Sequence, residues 1–358
     1  MLADVLRHLE ALVSFDTRNP PRVIGTGGIF DYIRAQLPDF LVDVIDHGDG
    51  AVSLLALRGR PSRVFNVHLD TVPASPAWTA DPLILRVENE RAIGLGACDI
   101  KGAAAGLLAA ATVTTGDAAF LFSSDEEAND ARCINAFLAS DHGFTAAIVA
   151  EPTRCEAVLA HRGISSVLLR FKGEAGHASG VAALETSALH QAMRWGAQAL
   201  DFVESEAHRR FGGLTGLRFN IGRVEGGIKA NMIASSAEVR FGFRPLPSQD
   251  IDELHVRFGN FADALESYAE TFRGPTLPAG DVAMAEERRL AARDLADELG
   301  LPIGNAVDFW TEASLFSRAG LAALVFGPGD IAQAHTADEW VSLDQLATAA
   351  AHYQRLLS

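Results

Sequence analysis

The sequence predicts an α/β fold: a domain with a mixed central sheet flanked by helices, plus an inserted α+β domain. Three observations predict it. Short, continuously apolar runs ending in polar clusters alternate with helical spacings in the first and last parts of the chain. The middle third changes to strands with polar residues interleaved. The length, 358 residues, exceeds one ordinary hydrophobic core.

In order, Leu2, Val5, Leu6, Leu9, Leu12 and Val13 follow helical spacing, and Ile29, Ile33 and Leu37 mark a second helix. A β-rich run at 64–68 leads into Asp70-Thr-Val-Pro, where Pro73 stops it. The Ala-rich stretch 102–116 reads as a buried helix. Apolar strands follow at 118–122 and 146–150, the first ending in Ser-Ser-Asp-Glu-Glu and the second in Glu151-Pro. A fourth, 322–326, ends in Gly327-Pro-Gly, and a helix at 346–357 closes the fold. Within the insert, strands are expected at 165–172, 217–222 and 237–243, with helices at 182–203 and 249–265. The boundaries that follow are 1–163 with 273–358 for the larger domain and 164–272 for the insert. Gly274-Pro-Thr-Leu-Pro-Ala-Gly serves as the return linker.

Composition narrows the function. Hydrophobic residues make up 48% and charged residues 21%, the balance of a folded globular protein. Lys and Arg number 30 against 46 Asp and Glu, a formal charge of −16, which disfavours nucleic acid and anionic membrane as partners. No uncharged apolar run approaches the ~20 residues needed to span a bilayer. The first residues carry charge without the apolar core of a signal peptide. Three cysteines (Cys98, Cys133, Cys155) are too few for a disulfide framework, so a cytoplasmic protein is expected.

The chemistry is suggested by where acids and imidazoles fall. His68 and Asp70 end one strand, Glu126 and Glu127 follow the next, Glu151 follows a third, and His335 lies beyond a fourth. Strand ends of an α/β sheet converge on one crevice, so these residues are candidates for one site. Two His with several carboxylates and no Cys form a nitrogen and oxygen ligand set suited to Zn, Co or Mn. The glycine-rich run Gly94-Leu-Gly-Ala-Cys-Asp99-Ile-Lys-Gly fails both phosphate-loop patterns: Asp99 and Ile100-Lys101-Gly102 occupy the wrong positions. Glycines around a central Asp better suit a metal-bridging carboxylate.

His68-Leu-Asp-Thr-Val-Pro, Gly94-x-Gly-x-x-Asp99-x-Lys-Gly, Glu126-Glu127, Glu151-Pro and Ala334-His335-Thr-x-Asp-Glu occur in order. Together they resemble the aminoacylase and acetylornithine deacetylase family of dinuclear metallohydrolases over nearly the whole chain. The resemblance implies that Asp99 bridges two divalent metals, Zn or Co, with one or two ions per subunit. His68 and Glu151 would complete one site, and Glu127 and His335 the other. Asp70 would orient the His68 ring, and Glu126 would be the general base. Residues 1–163 with 273–358 would be the metal-binding catalytic domain and the insert a lid and dimerisation domain, from which His177 would stabilise the oxyanion in a partner's site, Asn231 would contact substrate, and Arg244 would bind its α-carboxylate. Gly242 stands where the family usually has Asp, and Glu312 where many relatives have Asp. The implied activity is hydrolysis of a small Nα-acetyl amino acid by a homodimer. N-acetyl-L-citrulline is the first choice of substrate and N-acetyl-L-ornithine the second, in arginine biosynthesis. The alternatives are a dipeptidase, carboxypeptidase or desuccinylase, and more remotely a non-catalytic metal-binding dimer.

Overall fold

A computed structural model describes residues 1–263 and 265–358. The chain divides into two compact units. The first comprises Met1–Leu159, Glu287–Gly304 and Thr311–Ser358; the second comprises Ala160–Glu286 and Asn305–Trp310.

The first unit is built on a six-stranded mixed sheet. Its strand order is Leu41–Asp46, Val52–Arg58, Ala118–Ser123, Arg63–His68, Ala146–Val149 and Ala322–Val325. The last four run parallel, while Val52–Arg58 pairs antiparallel with both Leu41–Asp46 and Ala118–Ser123. The parallel strands are apolar because both their faces are covered; all six residues of Ala118–Ser123 are buried. Phe120 makes edge contacts with Phe65 and Phe122, and Phe65 with Tyr353 of the Leu343–Leu356 helix. Helix Gly102–Thr112 packs between Leu2–Ser14 and Leu343–Leu356 and is buried from Gly102 to Ala111. A helix apolar on every side is the expected occupant of such a slot.

The second unit has a four-stranded antiparallel sheet, ordered Arg218–Gly226, Ser236–Arg244, Ile164–Lys172 and Ser267–Gly274. Alternation puts Val167, Leu169, Phe171, Val239, Phe241 and Phe243 on one buried face. There they meet Ala188, Ala192, Trp195 and Ala199 of helix Ala188–Ser205, and Leu254 and Phe258 of helix Ile251–Gly259. Trp195 Nε1 donates to the Phe258 carbonyl at 2.8 Å, so the largest buried side chain is also satisfied. Asp250 caps the shorter helix, accepting from the amides of Asp252 and Glu253.

Several expected elements are corrected. The helix expected at 182–203 is two, Ala183–Thr186 and Ala188–Ser205, broken at Ser187, whose backbone is extended. The break lets the Ala188 amide donate to the Ala234 carbonyl at 2.9 Å. The helix expected at 249–265 spans only Ile251–Gly259; residue 264 lies outside the described residues. Strands Leu41–Asp46, Val52–Arg58 and Ser267–Gly274 were not expected from the sequence.

Candidate metal centre

The site of the first unit lies at the ends of the parallel strands. His68 is the last residue of Arg63–His68, on the strand face opposite Val67. The chain beyond it is tied down: Thr17 Oγ1 donates to the Leu69 carbonyl at 2.7 Å, and the Thr71 amide to the Thr17 carbonyl at 3.0 Å. Asp99 sits in a glycine-led turn before the Ala-rich helix. There Gly96 has a left-handed φ of 78°, and a Cβ on it would come within 2.7 Å of Thr71 Cγ2. Glu126 and Glu127 follow Ala118–Ser123, Glu151 follows Ala146–Val149, and His335 follows Ala322–Val325.

These residues form two clusters that share Asp99: His68, Asp99 and Glu151, and Asp99, Glu127 and His335. In each cluster one ligand atom from every residue lies within 4.8 Å of the others. His68 Nε2 is 3.1 Å from Asp99 Oδ1 and 3.9 Å from Glu151 Oε1. His335 Nε2 is 2.9 Å from Glu127 Oε1 and 3.4 Å from Asp99 Oδ2. His68, Asp99 and Glu151 are buried, and His335 is exposed.

The electrostatics are those of a cation site. Burial pushes Glu151 well above the ordinary carboxylate range, and the Asp99 charge adds to it. Burial also raises Glu127, against the opposing hydrogen bond with His335. Burial alone would raise Asp99 too, but hydrogen bonds with His335 and His68 outweigh it and hold this carboxyl below its usual range. His335 is driven up to about 11 by Asp99 and Glu127. Crowded acids thus hold protons on the imidazoles, and a divalent cation would supply that positive charge. The nitrogen and oxygen donors fit such an ion.

Asp70 lies beside His68, but the closest acceptor to Nδ1 is the Asp70 main-chain oxygen at 3.0 Å; its carboxylate Oδ1 is at 3.5 Å. The other carboxylate oxygen accepts from Asn19 Nδ2 and from the Glu127 amide, both at 3.0 Å. Asp70 therefore ties the His68 segment to a residue of the second cluster. Glu126 is half-buried. Burial raises its carboxyl well above the ordinary range; His68 opposes the shift, and Glu127, Glu312 and Asp70 add to it. A carboxyl raised in this way holds a proton more readily than an ordinary carboxylate. Of the three adjacent acids, Asp125 points elsewhere: its carboxylate accepts from the Cys133 amide at 3.0 Å and takes no part in either cluster.

Two further carboxyls frame the site. Glu312 is buried, accepts from Ser123 Oγ at 3.2 Å and, with the Asn66 amide turned toward it, from Asn66 nitrogen at 3.1 Å. Burial and Asp125 push it to about 8, with His68 opposing. Glu339, also buried, accepts from the amides of Gly96, Cys98 and Asp99. Sequence reasoning assigned Glu339 and Asn19 no role. Glu339 carried one signal, its place four residues after His335.

His177, Asn231 and Arg244 belong to the second unit. His177 pairs with Met232 in a short bridge and is exposed, its Nδ1 2.8 Å from Ser179 Oγ. Asn231 is exposed, with its carbonyl accepting from the Ala178 amide at 3.0 Å. Arg244 ends the Ser236–Arg244 strand and, with Arg218, Asn220 and Gly242, lines a cavity of about 500 Å³ on that sheet.

One buried and one more open imidazole–carboxylate cluster, joined by a single Asp near the ends of parallel strands, give the donor arrangement expected of a metallohydrolase centre. The chain belongs to peptidase family M20/M25/M40, whose sequence pattern matches residues 64–358, and is a hydrolase of that family. Among individual proteins, it is 72% identical to N-acetyl-L-citrulline deacetylase of Xanthomonas campestris pv. campestris, over 97% of this chain and 95% of that protein. It is 30% identical to the acetylornithine deacetylase of Pectobacterium carotovorum, over 76% of this chain and 74% of that protein. Of solved structures, an M20 metallo-carboxypeptidase from Sulfolobus solfataricus superimposes with a TM-score of 0.74. Its identity is 14%, with 99% of this chain and 98% of that one covered, a likeness of fold alone. Among the described residues no helix is long and apolar enough to cross a membrane.

Proposed function

We propose that the chain hydrolyses N-acetyl-L-citrulline to acetate and citrulline, with N-acetyl-L-ornithine as the second candidate substrate, in arginine biosynthesis. The observation that carries the reaction type is the pair of three-residue clusters joined through Asp99. The identity of 72% to an N-acetyl-L-citrulline deacetylase supports the choice of side chain.

His68, Asp99 and Glu151 would hold one Zn or Co ion, and Asp99, Glu127 and His335 a second. Bound there, the metal supplies Lewis acidity, polarising the amide carbonyl and lowering the pKa of water toward ~7. Glu126 accepts the proton of the attacking water and returns it to the leaving amine. Asp70 fixes the orientation of the His68 ring, which sets the direction of its ligating nitrogen. Residues 164–272 act as the lid and dimerisation domain of a cytoplasmic homodimer, and 1–163 with 273–358 as the metal-binding domain. His177 stabilises the oxyanion. Asn231 contacts the substrate, and Arg244 pairs with its α-carboxylate through a planar guanidinium fork.

The test is kcat/KM for acetate release from N-acetyl-L-citrulline, N-acetyl-L-ornithine and a panel of dipeptides. The expected order places citrulline first, ornithine second and dipeptides last. Turnover of dipeptides with neither acetylated amino acid consumed would overturn the reading.

A further inference from the structure

We propose that Glu339 is the positioning residue that sets the bridging carboxylate of Asp99 and links the two metal clusters, an inference that rests on the metal-ligand assignment above. Glu339 is 1% exposed and is a member of neither ligand cluster. Its carboxylate is instead spent on the backbone that carries Asp99. Oε1 accepts from the Cys98 and Asp99 amides, both at 2.9 Å, and Oε2 from the Gly96 amide at 3.0 Å. Its own carbonyl accepts from the Gly94 amide at 3.0 Å. Three amides of one turn converging on one anion form a cradle of the kind that holds phosphates, here filled by a side chain of the same chain. The glycine-led turn is thereby closed around an internal carboxylate, and Asp99 leaves it in one direction.

The second half of the link is in the sequence spacing. Glu339 stands four residues after His335, a member of the cluster that Asp99 shares with Glu127. The residue after Glu339 enters the Trp340–Ser342 strand, which pairs with Arg91–Ile93 immediately before the turn. A single segment therefore anchors itself beside the turn, grips its amides and presents His335 to one oxygen of Asp99. His68, Glu127 and Glu151 reach the other sides from three different strand ends. Displacing Glu339 would move the shared ligand, so both clusters should lose affinity together. Loss of His335 removes a ligand from one cluster only.

The experiment is a cobalt titration of the chelator-stripped full-length protein, following the visible absorption of bound Co(II), for wild type, Glu339→Gln and His335→Ala. Glu339→Gln keeps the size of the side chain but turns an amide donor on one of the backbone donors. Both dissociation constants should rise, by about 10- to 100-fold as for other residues that orient ligands, with an altered Co(II) spectrum. His335→Ala should raise only one of them. If His335→Ala leaves both unchanged, the ligand assignment fails. If His335→Ala behaves as expected but Glu339→Gln binds both ions with wild-type constants, or loses only one, the inference fails. Should Glu339→Gln not fold, Glu339→Asp, which keeps the charge and retracts it by one methylene, is titrated in the same way against the same criteria. In the stripped wild type, the amides of Gly96, Cys98 and Asp99 should resist hydrogen exchange; rapid exchange of all three would also contradict the inference.

Discussion

His68 Nε2 lies 3.1 Å from Oδ1 of Asp99, while the second oxygen of the same carboxylate faces His335 at 3.4 Å. One short side chain therefore joins two groups of ligands whose other members come from distant parts of the chain. Asp99→Ala should abolish both sites at once. Because an ion that binds only the folded state stabilises it by roughly 4 kcal/mol at 1,000 times Kd, Zn should raise the melting temperature of wild type by several degrees. Calorimetry of Asp99→Ala with and without Zn should show no such rise.

Glu126 is beside both clusters but belongs to neither. Glu126→Gln should keep metal content at the wild-type level and lower kcat by about 10²- to 10⁴-fold, the usual contribution of a proton-transferring side chain. Metal analysis together with acetate release measures both quantities; full turnover would remove Glu126 from the mechanism.

His8 gives a pH dependence away from the centre. Its ring is buried, Nδ1 is 2.8 Å from the Tyr32 hydroxyl, and Arg7 lies 3.2 Å from Nε2. Burial and then Arg7 lower it from 6.5 to about 4. The folded state thus keeps His8 neutral where the unfolded chain is protonated. Stability from this group is complete above about 6.5 and is lost as the pH falls toward 4, by about 3 kcal/mol. His8→Asn should flatten urea-unfolding stability across that window relative to wild type.

Glu312 should give the opposite slope. With its carboxyl pushed to about 8, the folded state holds a proton that the unfolded chain releases above its ordinary value of 4.5. Wild type should therefore lose stability as the pH rises from about 4.5 to 8. Glu312→Gln, which imitates the protonated form, should gain on wild type over the same range when stripped proteins are unfolded in urea. An unchanged difference between pH 5 and pH 8 would show that Glu312 ionises normally.

The strands that carry the centre were legible because burial on both faces leaves them uniformly apolar, as in Ala118–Ser123 and Ala146–Val149. Leu41–Asp46 was not, because it is an edge strand with partly and fully exposed residues and two aspartates. Gly259 ends the helix that sequence spacing carried to 265, and the extended backbone at Ser187 divides another, a tertiary choice that helical periodicity cannot register. In the centre, His68, Asp99, Glu127, Glu151 and His335 follow recognisable runs, and the structure brings them together. Asp125, adjacent to Glu126 in sequence, turns instead to the Cys133 amide. Glu339 ends the Ala334-His335-Thr-x-Asp-Glu run, but its role was not legible, because accepting from backbone amides leaves no residue pattern of its own.

The most direct measurement of the central claim is an anomalous difference map from crystals grown with excess Zn and recorded at its absorption edge. The prediction is two peaks about 3.5–4 Å apart, one among His68, Asp99 and Glu151 and the other among Asp99, Glu127 and His335. Zinc bound elsewhere, with no peak touching Asp99, would contradict it.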